Sequence, residues 1–245
     1  MTDITAAIRA DLAPAGKLRA GINYGNFILA RKDRATGQSS GVAIDLLDEI
    51  ARRLGAPVEI VAYDSVAVMG DAAPDNVWDI AFLGSDPQRE KIMSFTPAYL
   101  EIDATYLVPG ASPFRAAAEV DREGICISAP ARANFELFLG RYLKHARLAP
   151  AQGNGAAFEL LAAGKVDALA GLTQGLLDLA GKLPGSRVLD GRFMGVRQSI
   201  AVPKGREAGL AYLRSVVEEA KASGLVARAI ARLGVRGVSV APPAG

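Results

Sequence analysis

The sequence predicts an α/β protein of two lobes, each a mainly parallel sheet flanked by helices, and three observations carry that expectation. Short apolar runs of strand length, such as 80–83 and 125–128, alternate with helical stretches along the 245 residues. The series restarts near residue 110 with no low-complexity linker before it, which points to lobes joined by strands rather than by a flexible tether. Half of the residues are apolar, enough for a sizeable core.

Taken in order, residues 1–16 read as a short helical lead-in stopped by Pro14 and Gly16. Lys17 to Asn23 reads as a strand running into a Gly- and Asn-rich turn through Phe27, where glycines let a ligand approach backbone amides. Residues 31–40 read as a polar loop. From Gly41 to Gly55, Val42, Ile44, Leu46, Leu47, Ile50 and Leu54 fall at helical spacing, with acids early, Arg52 and Arg53 late, and Gly55 as the stop. A strand over 57–62 follows, then a stretch over 64–77 too broken for more than a short irregular helix. Residues 101–108, rich in Ile, Thr, Tyr and Val, form a strand closed by Pro109 and Gly110. The second series reads as strand 125–128, helix 134–148, helix 156–163, strand 166–170, helix 173–183, strand 187–189 and strand 195–202. Helix 206–223 ends at Gly224, and another runs to Leu233 before a tail of Gly, Val and Pro.

Composition narrows the functions available. Net charge is +2, with Lys and Arg spread along the chain, so nothing marks a nucleic-acid or membrane surface. No run of eighteen or more uncharged apolar residues suits a membrane span. The first residues lack the basic and apolar regions of a secretory signal, so the expectation is a cytoplasmic chain or a mature form carrying a new Met. Cys126 and His145 each stand alone, which excludes an internal disulfide and leaves no metal cluster of recognisable spacing. A Ser-His or Cys-His system would have to use His145, read here on the basic face of a helix. Gly153-Asn154-Gly155 echoes a dinucleotide loop, but Phe158 occupies the third glycine position. No cofactor, no metal and no catalytic residue is therefore expected.

The stretch from Trp78 to Tyr99 is the most informative. A buried-strand run, Ile80-Ala81-Phe82-Leu83, breaks at Gly84 into a turn holding Ser85, Asp86 and Arg89. Loops at the carboxyl ends of strands are where open α/β sheets place ligands. Arg89 can grip a carboxylate through two parallel hydrogen bonds; its simpler role is to pair with Asp86 at the surface.

Four segments in this order resemble the family 3 extracellular solute-binding proteins, amino-acid-type receptors of ABC importers with the type II periplasmic-binding fold. They are Gly16 to Gly21, Gly41 to Leu46, the run from Trp78 through Asp86-Pro87-Gln88-Arg89 to Phe95-Thr96-Pro97-Ala98-Tyr99, and Gly164 to Ala168 with Pro203-Lys204-Gly205. The resemblance implies lobe one over 1–100 plus 199–245, lobe two over 105–193, and hinge segments at 100–104 and 194–198. It also implies an interlobe cleft that closes over a ligand, an ABC permease as partner, a monomeric state and a periplasmic location.

Carried over residue by residue, Arg89 matches the family arginine that holds a ligand carboxylate. Asp86 stands where many members have Thr, and its carboxylate suits an ammonium while repelling a second acid group. The position that supplies an Asp to an α-ammonium falls near Leu172 and Thr173, neither of them acidic, so the usual α-amino-acid grip is incomplete. Arg132 and Asn134 begin a lobe-two helix where backbone N–H groups favour an anion; Arg132 there is equally a solvated helix-start residue. Asn23, Asn26 and Phe27 offer amide hydrogen bonds and an apolar wall, or simply build a tight turn. Tyr99, Glu101 and Gln198 lie at the crossings, as ligand contacts or as structural residues. Trp78 and Phe82 are core.

The expected function is binding of a small carboxylate-bearing solute, an amino acid or organic acid, for an ABC transporter. The alternatives are a cyclohexadienyl-dehydratase-like enzyme, with Glu101 or Asp86 as proton donor, and a cytosolic ligand sensor on the same scaffold.

Overall fold

The computed structural model describes residues 4–244. In chain order it contains α1 (Ala6–Leu12), β1 (Leu18–Asn23), β2 (Arg31–Lys32), β3 (Ser39–Ser40), α2 (Val42–Leu54), β4 (Val58–Tyr63), α3 (Val66–Asp71), β5 (Ile80–Gly84), β6 (Met93–Phe95) and β7 (Leu100–Val108). It continues with β8 (Cys126–Pro130), α4 (Asn134–Tyr142), β9 (Arg147–Ala151), α5 (Gly153–Ala162), β10 (Ala168–Leu172), α6 (Thr173–Ala180), β11 (Arg187–Val188), β12 (Met194–Pro203), α7 (Glu207–Ala222), α8 (Leu225–Leu233) and β13 (Val238–Val240). The chain forms two compact units. Unit 1 is Met1–Glu101, Arg197–Val235 and Ser239–Gly245; unit 2 is Ile102–Val196 and Arg236–Val238.

In unit 1, β1 pairs in parallel with β4 and with β5, Gly21 opposite Ala81. β12 then adds antiparallel to β5, and β6 antiparallel to β12. All of β5 is buried, as a continuous apolar run demands. Trp78 is fully buried and donates its Nε1–H to the Met69 carbonyl at 3.1 Å, tying α3 to the foot of β5. Gly21 makes room for the indole: a Cβ there would lie 3.2 Å from Trp78 Cδ1. α2 buries Val42, Leu46, Leu47, Ile50 and Leu54 and stops at Gly55, φ +62°. Arg53 bridges α2 to α7, bonding Glu49 and Glu219 at 2.6 Å each.

In unit 2, β8 lies between β9 and β10, parallel to both, and β10 pairs antiparallel with β7. Residues on β7 alternate between two apolar clusters, as period-2 geometry requires. Tyr106 and Val108 join Phe135, Leu139 and Val196 on one side, while Leu107 joins Leu161, Leu169 and Leu176 on the other. Within unit 1 the strands β4, β1 and β5 are thus parallel and β12 adds antiparallel; within unit 2 β9, β8 and β10 are parallel and β7 adds antiparallel.

Several expected elements are corrected. The helix expected over 134–148 ends at Tyr142, and 147–151 is strand β9. The Asp121 carboxylate accepts the N–H groups of Lys144, His145 and Ala146 at 2.9 Å each, removing those amides from any helical ladder. The next residues pair with β8 along an outer strand, where Pro150 is tolerated. His145 therefore sits in an exposed turn and not on a helix. The polar loop over 31–40 contains the β2–β3 hairpin, whose turn is organised by Asp33 accepting from Ala35 and Thr36 at 2.8 Å. The tail after Leu233 contributes β13, which pairs with β7.

Candidate functional site

In unit 1, β1 and β5 run parallel, so the loops at their carboxyl ends share one sheet edge. After β5, Asp86 Oδ1 accepts the Gln88 N–H at 2.8 Å and the Asp86 carbonyl accepts the Glu90 N–H at 3.0 Å, which closes the turn. A single 3-10 turn over Arg89–Lys91 follows. Arg89 is 8% exposed, and its Nη1 donates to the Gly84 carbonyl at 2.8 Å. On another side of the guanidinium stands α3, where a Cβ at Gly70 would be 3.9 Å from Arg89 Nε. The broken composition of 64–77 gave no sign that this short helix would help seat Arg89.

The β1 loop is built by its own asparagines. Asn23 Oδ1 accepts the Gly25 N–H at 2.9 Å and Asn26 Oδ1 accepts the Ile28 N–H at 3.2 Å, both turns in which Asn folds back on the backbone. Phe27 is half-buried beside them. Gln198 is buried opposite Gly84 on β12, and its carbonyl accepts the Tyr99 N–H at 2.8 Å. Tyr99 is fully buried, edge-on to Phe82 at 6.1 Å, and burial pushes its hydroxyl pKa well above the ordinary value. Glu101 accepts from Arg197 Nε at 3.0 Å. Unit 1 thus brings Ser85, Asp86, Arg89 and Gln198 to one corner, and places Tyr99 in the core beneath them.

In unit 2, β8 and β10 are parallel neighbours, and their carboxyl ends carry the remaining candidates. Arg132, exposed, has φ +63°, a left-handed conformation uncommon outside glycine. Its N–H donates to Glu136 Oε2 at 2.7 Å, one turn into α4. Asn134 is the first residue of α4 and is buried. Thr173 opens α6, and its Oγ1–H donates to the Asp103 carbonyl at 3.0 Å.

Among the described residues, no three or more His, Cys, Asp and Glu side chains group so as to hold a metal ion, and no helix is long and apolar enough to cross a membrane. Unit 1 also has a depression of about 550 Å³ bounded by Phe95, Thr96, Pro97, Arg214 and Glu218, which shares only Ser85 with the candidate site.

The fold, as distinct from these side chains, recurs in solved proteins. A mutant of ArgBP from T. maritima shares the fold with a TM-score of 0.74 at 22% identity, covering 92% of this chain and 98% of that one. An ancestral amino-acid-binding protein, a precursor of cyclohexadienyl dehydratase, gives 0.74 at 21% identity over 91% and 96%. The substrate-binding protein of an amino acid ABC transporter gives 0.73 at 18% identity over 89% and 98%. These likenesses show the periplasmic-binding-protein fold. No curated protein sequence matches the chain. The sequence model of one family does match, over residues 22–233, and with that span and the shared fold the chain belongs to the bacterial extracellular solute-binding proteins, family 3.

Proposed function

We propose that this chain binds a small carboxylate-bearing solute, an amino acid or a related organic acid, and presents it to the permease of an ABC importer. The observation that carries the reading is Arg89, a residue 8% exposed at the carboxyl end of β5, with its guanidinium anchored on the Gly84 carbonyl at 2.8 Å. An anchored arginine keeps its planar fork in one orientation, which suits bidentate capture of a carboxylate. Family membership supports a solute as ligand and an importer as partner. The amino-acid-binding proteins that share the fold support an amino acid as the solute.

Asp86, in the same turn, favours a ligand that carries an amine beside one acid group and disfavours a dicarboxylate. In this reading Ser85 and Gln198 complete the unit 1 contacts, while Arg132, Asn134 and Thr173 are the candidate ligand groups of unit 2.

Calorimetry and thermal shift with a library of amino acids and organic acids test the proposal. At least one monocarboxylate is expected to bind and stabilise the protein, and Arg89→Ala is expected to cost roughly 2 to 5 kcal/mol of binding. If no small acid binds, or if Arg89→Ala binds as well as the parent, the reading fails.

A further inference from the structure

The segment after α8 leaves unit 1 and returns to it. Val235 belongs to unit 1, Arg236–Val238 to unit 2, and Ser239 onward to unit 1 again. These two passages come in addition to those at Glu101–Ile102 and Val196–Arg197, the only ones the family resemblance leads one to expect.

The excursion is seated within unit 2. The Asp103 N–H donates to the Gly237 carbonyl at 2.7 Å, and the Arg236 N–H donates to Gln174 Oε1 at 3.1 Å. Asp103 is itself held, because its carbonyl accepts from Thr173 Oγ1 at 3.0 Å and its carboxylate from Arg192 Nη1 at 2.7 Å. Gly237 has φ +68°, and a Cβ added there would meet Thr173 Cβ and Oγ1 at 3.0 Å. Both the backbone conformation and the close approach therefore call for glycine. Back in unit 1 the segment is pinned again: Ala241 is 5% exposed and donates its N–H to the Tyr99 carbonyl at 3.3 Å, and Lys221 Nζ donates to the Pro242 carbonyl at 2.8 Å.

We propose that residues 236–238 form a strap, seated in unit 2 through Gly237, that restrains turning about the hinge segments 100–104 and 194–198. Hinges absorb motion in a few element-terminal residues. A further stretch of chain held at both ends by hydrogen bonds shortens the range over which those residues can move. The strap sets the conformational freedom of the ligand-free protein, and so the fraction competent to bind, whatever the ligand is.

The test uses the ligand-free protein, so its outcome is separate from that of the ligand assignment. Gly237→Val is expected to speed hydrogen exchange at Asp103 and across 100–104 and 194–198 by about tenfold or more while α2 and β8 keep their protection. A second form ending at Val235 should reproduce the change at 100–104 and 194–198. Unchanged hinge exchange in the two variants would overturn the proposal. So would loss of protection throughout α2 and β8, which would make the segment a general folding element and not a strap.

Discussion

Arg89 Nη1 donates to the Gly84 carbonyl at 2.8 Å, so the turn that ends β5 orients its own guanidinium. A lysine at this position keeps the charge but not the planar fork, so its tetrahedral ammonium cannot bond Gly84 and also present two parallel N–H groups to the oxygens of an acid. Arg89→Lys is expected to weaken binding of the best library ligand by about 2 to 4 kcal/mol in calorimetry. Retained affinity would show that the fork does not make the contact.

Arg132 supplies a backbone test separable from its charge. At φ +63° a β-branched residue is strained, so Arg132→Val should lose about 1 to 2 kcal/mol in urea unfolding. Arg132→Gly should stay within about 1 kcal/mol of the parent, because relief of strain offsets the freedom glycine adds to the unfolded chain. If the Gly variant keeps its stability and its ligand affinity, Arg132 is a turn residue only.

Asp79 is wholly buried and receives the Arg19 N–H and Nε–H at 3.0 Å each and Nη2–H at 2.7 Å, with Arg206 Nη1 3.6 Å away. The pair clips the start of β5 to β1, beneath both candidate loops. Asp79→Asn leaves a partly buried guanidinium without its counter-charge and should cost about 3 kcal/mol of folding stability by chemical denaturation. A loss below about 1 kcal/mol would mean that water replaces the carboxylate.

Glu49 receives hydrogen bonds from Arg52 and Arg53, which together lower its pKa from 4.5 to about 2. A carboxyl whose folded pKa is depressed contributes stability above its unfolded pKa and loses it as pH falls through the folded one. Unfolding free energy should therefore decline between about pH 4.5 and 2, by an amount near 1 kcal/mol once screening at the exposed Arg52 is allowed for. In Glu49→Gln this part of the pH profile should flatten; an unchanged slope would assign the acid sensitivity elsewhere.

Legibility followed locality. The α2 helix was readable because its apolar spacing, its charges and its Gly55 stop all lie in one stretch. The β5 strand and its charged turn were readable because a continuous apolar run and a Gly-to-Pro break mark them. The overrun of α4 came from the opposite situation: Leu143 to Leu148 is locally helical in composition, and only Asp121, more than twenty residues earlier, takes the amides away. In the site, the identities of Arg89, Asp86 and Arg132 could be read from the sequence. The seating of Arg89 against Gly84 and α3, and the left-handed backbone of Arg132, could not.

What the sequence by itself determined is the set of elements with local periodicity, the α/β class and the family. Those signals repeat every two or 3.6 residues and need no distant partner. Only the tertiary structure decided that Arg236–Val238 groups with unit 2, which amides Asp121 captures, and that Gly237 seats against Asp103 and Thr173. Each of those depends on groups far apart along the chain, whose meeting leaves no periodic mark on either segment.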